Sequence, residues 1–301
     1  MKGAPADRIR AAQRAVELGV NYFDTATSYG NGISETHLGE VLKATKLDVY
    51  VGTKVRLRPE DLSDIRGAVT RSLEESLRRL QLPSVDLLQL HNPLAATASG
   101  SSVSTAQVID EVIPALENLK KQGKVKFYGF TALGDPASIH TVIDQGSMFS
   151  AQVFYNLLNP TAAGNTTAPS AAVDFAGLLP KAKKKGIGTI GVRVLAAGAL
   201  SGTTARHPLA QQSVAPIGTG PDLASDVRSA DVLKKLVKDG FTSSLVEAAY
   251  RFTISHEAIS TCLVGASSVD QFEQVAGAVL KGPLPAQAIT RVAELWKEMR
   301  A

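Results

Sequence analysis

An acid and a phenol lie five residues apart in Phe23-Asp24-Thr25-Ala26-Thr27-Ser28-Tyr29-Gly30, just past the apolar run Val20 to Phe23. A second apolar run, Val49-Tyr50-Val51-Gly52-Thr53, ends in Lys54, and a third, Val85-Asp86-Leu87-Leu88-Gln89-Leu90, ends in His91. Carboxylate, phenol, amine and imidazole thus stand at the downstream ends of three consecutive strand-like segments. A free phenol, with a pKa of about 10, is a poor acid-base partner at neutral pH. An ammonium nearby favours its phenolate, and a carboxylate keeps that ammonium charged and oriented. An imidazole beside them could place a carbonyl oxygen or help relay a proton. The set reads as a proton-donating site built by mutual tuning. It contains no obvious nucleophile and no source of electrons, so a reduction there calls for a bound hydride donor.

Each residue also has an ordinary reading. Asp24 could cap the turn after its strand, Tyr29 could pack in a glycine-rich loop, Lys54 could be a solvated edge charge, and His91 could belong to the turn at Asn92-Pro93. The joint occurrence at three consecutive strand ends favours chemistry. Zinc is disfavoured, because there is no HExxH and the single cysteine, Cys262, cannot form a thiolate cluster. No metal is expected. Cys262 lies in an apolar run and reads as a buried, inert thiol.

The elements that must position these residues alternate. Helix-like stretches are expected at 7–18, 35–43, 62–80, 106–122, 136–145, 171–185, 245–254, 269–280 and 285–299. Strand-like stretches are expected at 20–25, 49–54, 85–91, 125–131, 150–156, 189–195 and 261–266. Such alternation implies parallel strands with right-handed crossovers. In a parallel barrel the downstream strand ends share one rim, where such enzymes place their chemistry. The expectation is therefore α/β, a (β/α)8 TIM-type barrel forming a single domain over residues 1–301. Only seven strands are found and the first follows a helix, so the N-terminal first strand is expected to be lacking, by truncation or by divergence. Gly186-Ile187-Gly188-Thr189-Ile190-Gly191 matches GxGxxG. It enters a strand, whereas a dinucleotide fingerprint leaves one and opens a helix. Long loops are expected at 93–105, 158–170 and 201–225, each overhanging the rim.

Composition bounds the rest. The 301 residues are 44% hydrophobic and 20% charged, ordinary for a globular protein with a large core, and the net charge is +4. The one basic cluster, Lys181-Ala182-Lys183-Lys184-Lys185, precedes Gly186 and reads as a helix C-terminus rather than a nucleic-acid patch. No apolar run approaches a membrane span and no secretory leader pattern is seen. The expected setting is cytoplasmic, with neither nucleic acid nor membrane as a partner. Oligomeric state is not legible.

The chain resembles an aldo-keto reductase. The resemblance is carried by the Asp24-to-Glu35 stretch with Leu38-Gly39-Glu40, by Val51-Gly52-Thr53-Lys54, and by Asp86-Leu87-Leu88-Gln89-Leu90-His91. Ala151-Gln152-Val153-Phe154-Tyr155-Asn156 and Val264-Gly265-Ala266-Ser267-Ser268 extend it over nearly the whole chain. It implies a catalytic tetrad of Asp24, Tyr29, Lys54 and His91, with Tyr29 as general acid-base. It also implies NADP(H) as cofactor, with NAD(H) possible, held without a Rossmann fold. Gln152 would bond the nicotinamide carboxamide, the backbone around Leu195, Gly198 and Leu200 would approach the pyrophosphate, and Ser267, Ser268, Gln271 and Gln274 would meet the adenosine end.

Departures stand beside these matches. Thr131-Ala132 replaces a usual Ser-Asn pair, leaving Thr131 near the carboxamide. No aromatic is present around Val192-Arg193-Val194, where Arg193 could cover the ring. Gln271 stands where a basic residue usually meets the 2′-phosphate, and Val275 replaces a common Asn. The function expected is hydride transfer between a nicotinamide and an aldehyde or ketone, or the corresponding alcohol. The alternative is a cofactor-binding regulatory or inactive relative, or a truncated gene product.

Overall fold

In the computed structural model, residues 3–164, 172–203, 205–212 and 214–299 are described. Two compact units partition the chain: Met1–Gln152 with Lys185–Ile187, and Val153–Lys184 with Gly188–Ala301. The long strands, numbered here in chain order, are β1 (Tyr22–Asp24), β2 (Tyr50–Val55), β3 (Val85–Leu90), β4 (Val125–Thr131), β5 (Ser150–Phe154), β6 (Gly188–Val192) and β7 (Ile259–Cys262). They form one seven-stranded sheet whose spatial order is their sequence order. A doubly wound sheet requires a reversal of that order, and none occurs. In the first unit the register pairs Asp24 with Gly52, Lys54 with Gln89, Gln89 with Gly129, and Thr131 with Gln152, all parallel. In the second, Gly191 pairs with Cys262 after an irregularity between Thr189 and Ile190.

Parallel strands covered on both faces read as continuous apolar runs. β3 shows this, since only Asp86 of Val-Asp-Leu-Leu-Gln-Leu is not buried. The helices of the first unit are α1 (Pro5–Glu17), α2 (Ile33–Thr45), α3 (Ile65–Leu80), α4 (Ile113–Lys121) and α5 (Pro136–Gln145). Their buried stripes follow helical spacing: Ile65, Val69, Leu73 and Leu80 on α3, Leu116 and Leu119 on α4, Ile139 and Ile143 on α5. Each such side chain contributes roughly 1.5–3 kcal/mol by leaving water. The helices of the second unit are α6 (Leu178–Lys184), α7 (Leu223–Leu233), α8 (Leu245–Ile254), α9 (Val269–Leu280) and α10 (Ala286–Glu298). Trp296 of α10 is buried there, and its indole donates to the Leu157 carbonyl at 2.8 Å.

Several expected boundaries are corrected by local chemistry. The helix expected at 62–80 is two pieces: a short 3-10 turn, Pro59–Ser63, and α3. Asp64 leaves helical angles (φ −147°) and its carboxylate accepts from the Gly67 amide at 3.0 Å, opening a new helix. The helix expected from Ala171 starts only at Leu178, because Ala176 and Gly177 are left-handed (φ 48° and 69°); Ala171 itself and 165–170 of the expected loop lie outside the described residues. β6 stops at Val192 rather than Leu195, where Arg193 turns the chain with φ 57°. β7 is Ile259–Cys262, shifted from the expected 261–266. The stretch expected as a loop to Ser225 gives way to α7 at Leu223, capped by Asp222, whose side chain accepts from the Ser225 amide at 2.7 Å. The loop after β3 carries two two-residue strands, Leu94–Ala95 and Val103–Ser104. The glycine-rich 186–191 segment enters β6 from α6, as its context implies.

One buried polar network ties α2, β2 and α3 together beneath the strand ends. The carboxylate of Glu35 on α2 is fully buried. It accepts from the Thr53 hydroxyl of β2 and from Arg79 Nε of α3 at 2.7 Å. Arg79 also reaches Ser76 Oγ at 3.3 Å, and Thr27 Oγ1 lies 3.2 Å from that same hydroxyl. Thr27 in turn donates to the Lys54 carbonyl at 3.3 Å, so the loop between β1 and α2 is anchored to the strand that carries Lys54. Gly32 closes the loop at φ 87°, and a Cβ there would lie 2.7 Å from Arg79 Cδ. Removing one partner of a buried ion pair strands the other charge, at about 3–5 kcal/mol. Arg79→Ala is accordingly expected to lower unfolding stability by about 3 kcal/mol, read from the denaturant midpoint. A loss below about 1 kcal/mol would show the network to be dispensable.

Candidate active site

Lys54 is the most constrained side chain of the sequence constellation. It sits on β2, only 1% exposed, and its ammonium pairs with the Asp24 carboxylate of β1 and donates to the Thr25 carbonyl at 2.8 Å. The register explains the meeting, since Asp24 lies opposite Gly52, two residues before Lys54. Two-residue spacing in a strand keeps side chains on one face, so Lys54 projects from the same face as Gly52, the residue opposite Asp24. The solvated-edge reading of Lys54 is thereby excluded.

Both oxygens of Asp24 are used. Oδ2 takes Lys54, while Oδ1 accepts from Tyr22 Oη at 3.0 Å and from Gln152 Nε2 at 2.9 Å. Gln152, on β5, is buried, and its Oε1 accepts from the Thr131 hydroxyl at the end of β4 at 3.4 Å. Gln152 and Thr131, expected near a carboxamide, therefore stand in direct hydrogen-bond continuity with Asp24.

Tyr29 caps the group from the loop after β1. That loop is closed by backbone bonds from Tyr29 N to Ala26 O and from Ser34 N to Tyr29 O. The Lys54 ammonium lies 4.9 Å from the Tyr29 ring centroid. His91 follows β3, its amide donating to the Val55 carbonyl at 2.8 Å, and its ring meets Tyr29 edge-on at 6.1 Å and 85°. Tyr29 remains 42% exposed, so the cluster has a buried floor and an open phenol. Packing alone does not account for that exposure. His91 is held neutral: burial first, then the Lys54 and Arg56 cations, lower its pKa to about 4. Its Nδ1 is buried without a partner, which leaves Nε2 as the nitrogen able to meet a ligand.

The second unit holds the remaining expected residues. After β6 the chain makes a run of left-handed residues at Ala196, Ala197 and Gly198 (φ 45°, 58° and 102°) within the turn Ala196–Ser201. Non-glycine residues in that region cost of order 1 kcal/mol each and cluster at functional sites. Leu195 precedes the run, and Leu200 is buried beneath it. Arg206 lies against it: its guanidinium donates to the Ala197 carbonyl at 2.6 Å, and a Cβ on Gly198 would be 3.5 Å from Nη2. Turned backbone beside a cation is chemistry that suits a pyrophosphate. Arg206 was not among the residues expected from sequence; a lone arginine in a Gly/Thr/Ala-rich loop carries no spacing signal. Arg193, expected near the nicotinamide, sends a guanidinium nitrogen to the Ala215 carbonyl at 3.3 Å.

At α9, Ser268 caps the helix, accepting from the Gln271 amide at 3.2 Å. Gln271 Oε1 folds back to the Ser267 amide at 3.0 Å, while Gln274 is exposed. Ser267, Ser268, Gln271 and Gln274 thus gather at one helix N-terminus, a place suited to an anionic group. Both backbone features fit a dinucleotide's phosphates, and no basic side chain among these four marks a 2′-phosphate. Cys262 is partly buried and its thiol is pushed up to about 11 by burial, an inert thiol as expected. Among the described residues no group of His, Cys, Asp and Glu could hold a metal, and no helix is long and apolar enough to cross a membrane.

Comparison with known proteins gives this geometry its context. The Aldo/keto reductase family profile matches residues 2–297. L-galactose dehydrogenase of Arabidopsis thaliana is 32% identical over 279 residues, covering 91% of this chain and 78% of that protein. Aflatoxin B1 aldehyde reductase member 2 of Homo sapiens is 27% identical, covering 95% and 81%. Among solved structures, the holo form of aldo-keto reductase AKR11C1 from Bacillus halodurans is 25% identical with a TM-score of 0.70, covering 98% of this chain and 88% of that one. The glycerol dehydrogenase AKR11B4 from Gluconobacter oxydans, 23% identical with a TM-score of 0.74, shares the fold over 99% and 88%. With a seven-stranded parallel sheet of the TIM-barrel class and a family match along almost its entire length, the chain belongs to the aldo/keto reductase family, oxidoreductases that use NAD(P)H on aldehydes and ketones.

Proposed function

We propose that Asp24, Tyr29, Lys54 and His91 form the reacting centre of a carbonyl reductase, with Tyr29 as the proton donor. The observation that carries this reading is the buried Lys54–Asp24 pair set under the ring of an exposed phenol. When bound, the reduced nicotinamide supplies hydride to the carbonyl carbon. Tyr29 gives its phenolic proton to the carbonyl oxygen. The Lys54 ammonium compensates the negative charge left on the phenol, and Asp24 holds the ammonium in place. His91, neutral at pH 7, donates one hydrogen bond from Nε2 to the same carbonyl oxygen, which fixes the substrate without adding a second acid. In alcohol oxidation the same groups act in reverse.

NADP(H) is the proposed cofactor, with NAD(H) as the alternative. Gln152 and Thr131 would hold the carboxamide, and the Ala196–Ser201 turn with Arg206 would hold the pyrophosphate. The N-terminus of α9, with Ser267, Ser268, Gln271 and Gln274, would meet the adenosine end. A family match that runs through both units supports reading 1–301 as a single domain. The similarity to a protein named L-galactose dehydrogenase supports an aldose as the first substrate to try. A cytoplasmic setting, with its supply of NADPH and a single unpaired cysteine kept reduced, completes the reading.

Two outcomes test it. Tyr29→Phe keeps the ring but removes the proton, and turnover in aldehyde-dependent NADPH oxidation is expected to fall by about 10²–10⁴. Binding of NADPH, read by its fluorescence, is expected to stay within about twofold of the parent; near-normal turnover would refute the role given to Tyr29. The imidazole of His91 is expected to stay neutral from neutral pH downward and to protonate only as pH approaches about 4. Heteronuclear NMR of the ring reads this directly, and protonation near the ordinary histidine value would contradict the role of a neutral hydrogen-bond donor.

A further inference from the structure

We propose that Tyr22 is a positioning residue for the reaction, holding Asp24 so that its other oxygen faces Lys54. The proposal rests on the reading of Tyr29 as proton donor. Tyr22 and Asp24 are two apart on β1 and share one face. Tyr22 Oη donates to Asp24 Oδ1 at 3.0 Å, and Oδ2 is left to Lys54. Across the register, Gly52 supplies the slot: a Cβ there would lie 2.1 Å from Tyr22 Oη and 2.8 Å from Cζ. A phenol of this length fits only because that position is glycine. Burial, and after it the Asp24 carboxylate, push the Tyr22 phenol well above its ordinary range, so the hydroxyl remains a donor at any working pH.

The need for a second donor follows from Gln152. Its Nε2 donates to the same Oδ1 at 2.9 Å, yet the proposed cofactor draws on this same amide. A carboxylate gripped by Gln152 alone would loosen whenever that side chain turned toward a carboxamide. Tyr22 has no second duty, and its grip is independent of the cofactor. The two donors therefore act as alternates on one oxygen, and the loss of either is cushioned by the other. Such groups are non-additive when removed together.

The test compares Tyr22→Phe, Tyr22→Leu, Gln152→Leu and the Tyr22→Phe/Gln152→Leu double variant for kcat, KM, NADPH binding and Tm, with Tyr29→Phe alongside. Both Tyr22 variants lack the hydroxyl but only Leu also loses the ring. A positioning role predicts the same fall in kcat for both, about three- to fivefold, less than the worth of one hydrogen bond to a charged group because Gln152 still holds the same oxygen. KM for the aldehyde and NADPH binding should stay within about twofold, while Tm falls further for Leu than for Phe. The double variant should lose at least about tenfold more kcat than the product of its parents. Full kcat in Tyr22→Phe, a kcat that tracks Tm across the two Tyr22 variants, or simple multiplication in the double variant would each overturn the proposal. Turnover surviving in Tyr29→Phe would instead bring down the reading beneath it, so the two failures are separable.

Discussion

An ammonium with 1% exposure is the constraint from which the rest of the first unit follows. A lysine charge taken out of water costs several kcal/mol unless it is paired and its hydrogens are satisfied. Here Asp24 supplies the countercharge and the Thr25 carbonyl a second acceptor. The carboxylate has become buried in its turn and needs its own donors, which Tyr22 and Gln152 provide. Each group in this chain satisfies the previous one, and Tyr29 stands beside it toward solvent, its ring centroid 4.9 Å from the ammonium. That asymmetry, a buried ion pair beside an open phenol, is the arrangement the proposed proton donor needs. On the proposed reading, the charge that would stabilise its conjugate base is fixed in advance, and the proton would be presented to whatever enters.

Around this centre the scaffold is organised to hold three strand ends in register. Parallel pairing of β1, β2 and β3 sets Asp24, Lys54 and His91 at neighbouring levels. The Glu35–Arg79 pair fixes the loop that carries Tyr29 to the helix packed behind β2. Part of the stability of the fold thus rests on polar groups that anchor the loop carrying Tyr29 and the strand carrying Lys54. In the second unit the same economy appears in backbone form. Left-handed residues at 196–198 turn the chain against Arg206, and Ser268 caps the start of α9.

Much of this was legible in the sequence, for a physical reason. Strands buried on both faces must be apolar throughout, so a run such as Val85–Leu90 announces itself, and the first polar residue beyond it marks the rim. Asp24, Lys54 and His91 were found that way. Less visible were features that depend on contacts between distant segments. Tyr22 reads as one more apolar strand residue until Gly52, two residues beyond its partner Tyr50, is seen to leave room for its phenol. The partnership of Glu35 with Arg79 joins positions 44 apart and leaves no local pattern. Element boundaries failed where single backbone angles decide them, as at Asp64, Gly177 and Arg193. The α7 helix was missed although Asp222 followed by Ala224, Val227, Ala230 and Leu233 carries a cap and an apolar stripe. The glycine- and threonine-rich stretch before it masked the change of period.

The central claim is that the ammonium of Lys54 acts on the chemical step rather than on cofactor capture. It is tested most directly by the single-turnover oxidation of prebound NADPH by an aldehyde in Lys54→Met, a side chain of similar length without the charge. The account predicts a rate lower by about two orders of magnitude or more, with NADPH binding close to the parent and Tm lowered by the stranded Asp24 carboxylate. A single-turnover rate within a few-fold of the parent would contradict it.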